Sequence, residues 1–243
     1  MPTKTAVKNR VSPTLHPGTI TSIPGYEQAK GYVQHATTAL DAAYQAVEHV
    51  MEARQKLQLD ESRTQKARVL MAAQMGNQYL DKLQKSFEAS WDKLSAGIEH
   101  TDKALSQPIE EYAGIGNVAT EIRAHLKNMT SGERTQFLFD ALERGDERTM
   151  KSVLGAPSYL SGMSDIDQVR VTRDYHSKNN PEMAHRLEVM RQVREKLEKA
   201  KPIIFTEMEK AIGATRFEIE KLQATSNEAE AALVLKEFAP SEN

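Results

Sequence analysis

Apolar side chains recur at alternating steps of four and three residues from Ala29 to Leu57, and this spacing constrains the fold more than any other sequence feature. A repeat of 3.5 residues places these side chains along one face of an α-helix, as in a coiled coil. The helix is predicted to be about 50 Å long at 1.5 Å per residue. Alanines dominate the first half of the stripe, so a partner helix is expected to lie close to it. Arg54, the charged stripe residue, is expected either to reach solvent at the end of the contact or to pair with a carboxylate.

Two further stretches, residues 64–107 and 182–223, repeat the same spacing. They predict a second and a third long helix, and side-by-side packing of the three buries each stripe. Phe87 and Trp91 are expected to fill space opposite the alanines. Pro202 is expected to kink the third helix, and Gly213 to weaken it. The predicted interaction seam comprises Ala29, Val33, Ala36, Leu40, Ala43, Val47, Val50, Leu80, Leu83, Phe87, Trp91, Leu94, Ile98, Leu187, Met190, Leu197, Ile204 and Met208.

The chain divides into four predicted segments. Residues 1–24 carry four prolines and lack a periodic pattern, which predicts an extended or disordered arm, or alternatively an arm that docks onto a neighbouring subunit. Residues 25–107 form a long helical hairpin, and residues 181–243 form a long C-terminal helix, a short helix at about 227–238 and a tail. Residues 108–180 are cut by glycine and proline and predict a small helical module. Its expected core is Phe137, Leu138, Leu142, Met150, Val153, Leu154, Tyr159, Leu160 and Met163.

Capping patterns support these boundaries. Helix starts are predicted after Thr130, Asp146 and Ser164, at Pro181 as a first helical residue, and after Thr225. Residues 58–64 form either a turn or part of one continuous helix, because neither Gly nor Pro interrupts them. A turn is favoured by its length, which suits an antiparallel hairpin.

Composition excludes several classes of protein. The 32 basic and 34 acidic residues leave a net charge of −2, so no global field draws nucleic acid or an anionic membrane. Cysteine is absent, which removes disulfides, thiolate metal sites and cysteine nucleophiles. No apolar run reaches the ~18 residues of a membrane span. A cytoplasmic location is therefore expected.

Patterns that resemble catalytic or ligand sites are each better explained structurally. Residues 114–119 match G-x-G-x-x-A, but a dinucleotide site needs a preceding strand, and a hinge between helices is favoured. Glu182 and His185 form one Glu-x-x-His pair, whereas a di-iron bundle uses two such pairs and two more glutamates. Basic runs near Arg63 and Arg194 are interleaved with glutamates or apolar residues and favour solvated helix faces. We therefore predict no catalytic, cofactor-binding or metal-binding residues, and no cofactor.

Residues 130–181 carry a recognisable run. Thr130-Ser131-Gly132-Glu133-Arg134, then 137–142 and 153–163, resemble a stretch in uncharacterised helical proteins of tailed bacteriophages and prophages. The resemblance covers about a fifth of the chain and carries no catalytic motif. It implies a phage origin and a place in the virion or its assembly, with the host cytoplasm or the virion as the location.

These patterns together predict an elongated all-α coiled coil or bundle of three long helices with a small helical module. The expected function is that of a non-enzymatic structural or assembly protein that acts through helical packing and an N-terminal docking arm. Its expected partners are further copies of itself or virion proteins, without membrane binding. A nucleic-acid-binding accessory protein and, less favoured, a carboxylate-bridged metal bundle enzyme are the alternatives.

Overall fold

The computed structural model describes residues 11–109 and 116–233, and all regular structure in these residues is helical. The prediction of an all-α helical bundle is confirmed. Short 3₁₀ turns cover Pro13–Leu15 and Ser158–Leu160. The α-helices are α1 (Gly18–Thr21), α2 (Tyr26–Gln58), α3 (Gln65–Ala104), α4 (Gly116–Lys127), α5 (Ser131–Arg144), α6 (Glu147–Leu154), α7 (Asp165–Asn179), α8 (Pro181–Ile212) and α9 (Arg216–Ala232).

The chain forms two compact units. The first unit comprises Met1–Lys93 and Gln192–Asn243, and the second comprises Leu94–Arg191. The long helices α3 and α8 contribute residues to both units. The boundaries between the two units therefore fall inside these two helices.

In the first unit, α2 and α3 form an antiparallel hairpin. The His49 ring nitrogen lies 3.2 Å from the Tyr79 hydroxyl. Ser90 Oγ donates a hydrogen bond of 3.2 Å to the His35 carbonyl. Later residues of α2 thus meet earlier residues of α3. The residues between α2 and α3 are not helical, which resolves the open question at 58–64 in favour of a turn.

A third helix, α8, runs antiparallel to α3. Gly76 of α3 faces Ile212 and Met208 at the end of α8, and Trp91 faces Arg194 and Lys201 earlier in α8. Because α3 is antiparallel to both neighbours, α2 and α8 run in the same direction. The first unit is therefore built on three packed helices.

The predicted seam lies inside the chain. All of its residues are buried except Leu80 and Trp91, which are half-buried. The seven α2 residues of the seam have no solvent-exposed surface. Six of these seven are alanine or valine, whose small side chains let neighbouring helices approach closely. Side chains buried within one chain are not available to a second copy.

The N-terminal segment corrects an expectation. Residues 11–24 are not an extended or disordered arm: they contain a 3₁₀ turn and helix α1, which pack on α2. Four apolar side chains of the segment are buried, namely Val11, Leu15, Ile20 and Ile23. The Ser12 backbone N–H donates 3.1 Å to Glu207 Oε2, a buried carboxylate of α8. The remaining residues of the predicted arm, 1–10, lie outside the described residues.

The third stripe is also shorter than predicted, because α8 ends at Ile212 rather than near residue 223. Gly213 has φ +81°, a left-handed conformation that ends the helix. Arg54 Nη1 donates a hydrogen bond of 3.2 Å to the Lys210 carbonyl. The charged residue of the first stripe therefore caps α8 instead of pairing with a carboxylate. Thr215 and Glu218 form a capping box that starts α9. Thr225, predicted as a cap, lies inside α9, and Pro202 lies within α8 without ending it.

The second unit has the core of its own that the sequence predicted, with a partly different membership. Its buried residues are Leu126, Leu138, Ala141, Met150, Val153, Leu154, Met163, Val171 and Tyr175, with Phe137 and Leu142 partly buried against them. Tyr159 and Leu160, expected in this core, are exposed instead. The predicted caps at Thr130, Asp146 and Ser164 are confirmed, as is Pro181 at the start of α8.

Candidate functional site

Helices α3 and α8 leave an open apolar hollow on one side of the first unit. The hollow has a volume of about 280 Å³, and it is lined by Leu80, Leu83, Gln84, Phe87, Glu88, Lys201, Ile204 and Phe205. Leu83, Phe87 and Ile204 are buried and form its floor. Since the floor belongs to the predicted seam, the hollow is a place where the bundle interior comes close to the surface.

A second hollow, of about 530 Å³, adjoins the first and shares Leu80, Gln84 and Phe205 with it. Its other lining residues are Asn77, Asp81, Met208, Glu209, Ile212, Arg216, Ile219 and Glu220. The two hollows form one depression, here called the α3–α8 groove. From Asn77 to Glu88 the groove follows three turns of α3, about 17 Å at 1.5 Å per residue. That length accommodates a short helix.

Phe205 is a large aromatic residue that the groove leaves exposed to solvent. Its side chain is 56% exposed, whereas Ile204 and Met208 beside it are buried. In the heptad spacing Ile204 and Met208 are interior positions. Phe205 follows Ile204 directly, so its side chain lies toward the edge of the contact. A large exposed aromatic next to an apolar hollow is typical of a protein interaction site.

The charged residues that line the groove are mainly acidic: Asp81, Glu88, Glu209 and Glu220, against Lys201 and Arg216. Both cations have partners within the chain. Lys201 Nζ lies 4.5 Å from the centre of the Trp91 ring, and Arg216 Nε lies 2.8 Å from Glu220 Oε1. Four carboxylates against two cations give the lining a formal charge of −2, and this favours a ligand that carries positive charge.

Trp91 packs in the bundle, and its ring also holds basic side chains. Arg194 lies 5.7 Å and Lys201 4.5 Å from the ring centre. A cation over an aromatic face is attracted by the ring quadrupole. These contacts place two basic side chains of α8 against an aromatic side chain of α3.

A second apolar surface lies on the second unit. Ile166 and Val169 of α7 are 82% and 54% exposed, and Tyr159 in the preceding 3₁₀ turn is 67% exposed. Arg170 is exposed one residue after Val169. On a helix, residues 166, 169 and 170 share one face. We call Tyr159, Leu160, Ile166, Val169 and Arg170 the α7 surface.

The polar clusters of the second unit connect helices. Asp102 accepts hydrogen bonds from Arg173 and Arg191 at 2.9 and 2.8 Å. The Tyr175 hydroxyl donates 2.5 Å to Glu147 Oε2, which joins α7 to α6. Burial and this hydrogen bond raise the pKa of Tyr175 to about 12, and the same bond lowers the pKa of Glu147. These arrangements join helices of the second unit and stabilise its fold.

The two sequence patterns that resemble ligand sites, Glu-x-x-His and G-x-G-x-x-A, lie at the starts of α8 and α4. Glu182 and His185 are both exposed on the first turns of α8. Among residues 11–109 and 116–233, no group of three or more His, Asp or Glu side chains is arranged to hold a metal ion. Gly116 starts α4, and Gly114 and Ile115 lie outside the described residues. Within the described part of the chain, no helix is long and apolar enough to cross a membrane.

Neither surface was predicted from the sequence. Leu80, Leu83, Phe87 and Ile204 were predicted seam residues, and the structure brings these four together at the groove beside Phe205, which was not predicted to have a role. A large aromatic immediately beside a seam position was the available signal. Ile166 and Val169 were not singled out, although their spacing of three residues on a capped helix already indicated a shared face.

Fold and site together define an all-α helical-bundle protein with an open apolar groove in its first unit. No family model matches the chain, and neither a curated protein nor a solved structure matches it.

Proposed function

We propose that the protein is a non-enzymatic structural or assembly protein, which associates with further copies of itself through the α3–α8 groove. The observation that carries the proposal is the exposed Phe205 beside an apolar hollow three helical turns long. A helix laid into such a groove uses apolar anchors every three or four residues.

Burial of apolar surface contributes favourably to occupation of the groove. Burying a large apolar side chain contributes about 1.5–3 kcal/mol relative to leaving it in water. Phe205 together with two or three apolar side chains of an incoming helix gives a gain that offsets part of the ordering cost of association. The net charge of −2 is small enough that copies do not repel one another strongly.

Most of the seam is already covered within the chain, and only its part that lines the groove is open to a second copy. Fewer residues than expected can serve as an N-terminal docking arm, because residues 11–24 pack on their own chain. Association therefore falls to surfaces that the packed chain leaves apolar and exposed.

Static light scattering over a wide concentration range tests the proposal. The wild type is expected to exceed the 27.2 kDa of one chain as the concentration rises. Phe205→Glu is expected to remain a single chain, because it places a charge in an apolar contact. Phe139→Glu is the matched control, since Phe139 is also 56% exposed but lies on α5 of the second unit.

Two results would contradict the proposal. One is a wild type that stays at the mass of one chain up to millimolar concentration. The other is a Phe205→Glu variant that associates as the wild type and the Phe139→Glu control do. Far-ultraviolet circular dichroism of each variant verifies that the helical content is unchanged.

The resemblance of residues 130–181 to proteins of tailed phages supports a more specific proposal, in which the assembly belongs to a virion or to its formation. Quantitative mass spectrometry of purified particles and of assembly intermediates tests it. A constant number of copies per particle or intermediate is expected, and absence from both would contradict this assignment.

A further inference from the structure

The surroundings of the α3–α8 groove reinforce the negative charge of its lining. The exposed charged residues one helical turn from a lining residue are Lys85 and Asp92 on α3 and Glu198 on α8. They add one cation and two carboxylates to the two cations and four carboxylates of the lining. Buried Glu207, also one turn from the lining, is paired with Lys210 at 2.7 Å. The groove therefore lies in a negative part of the first unit, which attracts a cationic ligand.

Residues 1–10, which lie outside the described residues, are a cationic segment of the same chain. They contain Lys4, Lys8 and Arg10 and neither Asp nor Glu. Residues 234–243, at the other end of the sequence, contain one lysine and two glutamates. Electrostatic attraction to the groove therefore favours residues 1–10 over residues 234–243.

Phe205 offers a cationic segment a second kind of contact. A lysine or arginine over the face of an aromatic ring is attracted by the ring quadrupole. The first unit already contains such a contact, because Lys201 Nζ lies 4.5 Å from the centre of the Trp91 ring. Phe205 is exposed and lines both hollows of the groove together with their carboxylates. A cationic side chain in the groove can therefore meet an aromatic face and carboxylates at once.

The segment also matches the groove in length when its backbone is extended. At about 3.3 Å per residue, Lys4 and Lys8 are about 13 Å apart. Asp81 and Glu88, at the edge of the groove on α3, are about 10 Å apart at 1.5 Å per residue. Side chains of an extended chain alternate between two faces, so Val7 points away from the face of the two lysines. Val7 can therefore meet the apolar floor while the lysines reach carboxylates at the edge.

The attachment of the segment to its own chain lies on the other side of α8. The Ser12 backbone N–H donates 3.1 Å to Glu207 Oε2. Glu207 and Phe205 are two residues apart on α8, so their side chains point about 160° apart at 3.6 residues per turn. To reach the groove of its own chain, the segment would have to pass around α8. Half the circumference of a helix 10–12 Å in diameter is about 16–19 Å, which takes roughly five or six extended residues.

This crossing distinguishes the groove of the same chain from that of a second copy. Counted back from Ser12, the five or six crossing residues include Arg10 and Lys8, which leaves Lys4 alone to enter the groove. A segment from a second copy has no helix to pass around and can bring all three cations. Charge complementarity is therefore complete only between two copies.

We propose that residues 1–10 of a second copy of this chain occupy the α3–α8 groove, with Lys4, Lys8 and Arg10 against its carboxylates and Val7 on its apolar floor. The inference rests on the proposed function and specifies the partner segment. The segment and the groove are different surfaces of the chain. Two copies therefore exchange segments reciprocally, or the contact continues from copy to copy.

Charge reversal on each side of the contact, and on both sides together, tests the inference. Lys4→Glu/Lys8→Glu/Arg10→Glu reverses the segment, and Asp81→Lys/Glu88→Lys reverses the groove. Each set alone is expected to weaken association by roughly tenfold or more in light scattering, because attraction becomes repulsion. The two sets combined in one chain are expected to restore association, because the signs are exchanged. A combination as weak as the single sets would overturn the pairing of segment and groove.

A control with the same change in net charge separates this effect from general repulsion between copies. Lys66→Glu/Lys82→Glu/Lys93→Glu replaces three exposed lysines of α3 that do not line the groove. This variant is expected to associate as the wild type does. The wild-type association is also expected to weaken as salt is added.

Disulfide cross-linking identifies the contact directly, because the chain contains no cysteine of its own. Val7→Cys places a thiol in the segment, and Gln84→Cys places one among the residues that line both hollows. Under mild oxidation, a mixture of the two single variants is expected to form a linked pair of chains. A mixture of Val7→Cys with Lys66→Cys, on exposed α3 surface outside the groove, is expected to form none.

The outcomes separate the inference from the proposed function. If deletion of residues 1–10 leaves association unchanged while Phe205→Glu abolishes it, the groove is used by another occupant, such as residues 234–243 or the α7 surface, and the inference fails. If Val7→Cys/Gln84→Cys in one chain gives only an internal cross-link, the segment covers its own groove and the inference also fails. If Phe205→Glu itself assembles normally, the proposed function fails together with the inference.

Discussion

Two glycines inside long helices allow the packing of α3 on α8 to be measured against a matched reference. Gly31 lies in α2, and a Cβ added there would meet nothing within 4 Å. A Cβ added at Gly76 of α3 would lie 2.8 Å from Ile212 Cδ1 and 3.3 Å from Met208 Sδ. The same substitution therefore has an open environment at one position and a packed one at the other.

The expected free energies follow from this difference. Gly→Ala in a helix interior stabilises by about 1 kcal/mol through backbone entropy. At Gly31 that gain is expected in full. At Gly76 it is opposed by overpacking of about 1–3 kcal/mol, because Ile212 has to move. The two variants are therefore expected to differ by about 1–3 kcal/mol in their free energy of unfolding, with Gly31→Ala the more stable.

Thermal unfolding followed by circular dichroism measures the effect, at roughly 2–4 °C per kcal/mol for a chain of this size. Gly31→Ala is expected to raise the melting temperature, and Gly76→Ala to leave it unchanged or lower it. Ile212→Val removes the nearest atom, so it is expected to relieve part of the cost of Gly76→Ala in the double variant. Equal stabilisation by Gly31→Ala and Gly76→Ala would refute the close approach of α3 and α8 at this point.

Three further predictions concern the termini and connections of helices. Gly213→Ala is expected to destabilise by at least the ~1–2 kcal/mol of a left-handed residue. Because its Cβ would also overlap the Arg54 guanidinium, the loss is expected to be smaller in an Arg54→Ala background, as a double-mutant cycle by urea unfolding would measure. Arg134→Ala is expected to destabilise the second unit by several kcal/mol, since Arg134 donates to the Leu126, Met129 and Gly162 carbonyls; amide hydrogen exchange checks this. Tyr175→Phe is expected to reduce the loss of stability on acidification. Its hydroxyl lowers the pKa of Glu147, so this contribution is present above the ordinary pKa of 4.5 and is lost as the pH falls through the lower folded value. Unfolding of both proteins between pH 7 and pH 3 measures the difference.

The sequence predicted the parts of the fold that a periodic pattern specifies. Val33, Leu40 and Val47 are buried because a 3.5-residue repeat can place them only on one face of a helix. The cap at Thr130 was predictable because a capping box is local, with both partners within four residues. The same pattern at Thr215 and Glu218, directly after Gly213, was also present in the sequence and marked the end of α8.

Features that depend on distant contacts were not predictable from the sequence alone. The N-terminal segment is ordered by contacts such as that of Ser12 with Glu207, which are separated by 195 residues. Tyr159 is exposed whereas Met163 and Val171 lie in the core, and no local pattern distinguishes these apolar residues. Phe205 lies one position from the seam, and a heptad pattern specifies the buried positions but not the accessibility of the residues beside them.

Hydroxyl-radical footprinting of Phe205 tests the central claim most directly, because phenylalanine side chains react in proportion to their exposure to solvent. The free chain and the assembled protein are separated by size and then labelled under identical conditions, with Phe139 as an internal reference of equal exposure. The proposal predicts that Phe205 is labelled in the free chain and protected in the assembly, while Phe139 is labelled equally in both. Equal labelling of Phe205 in the two species would show that the groove stays open to water and would contradict the account.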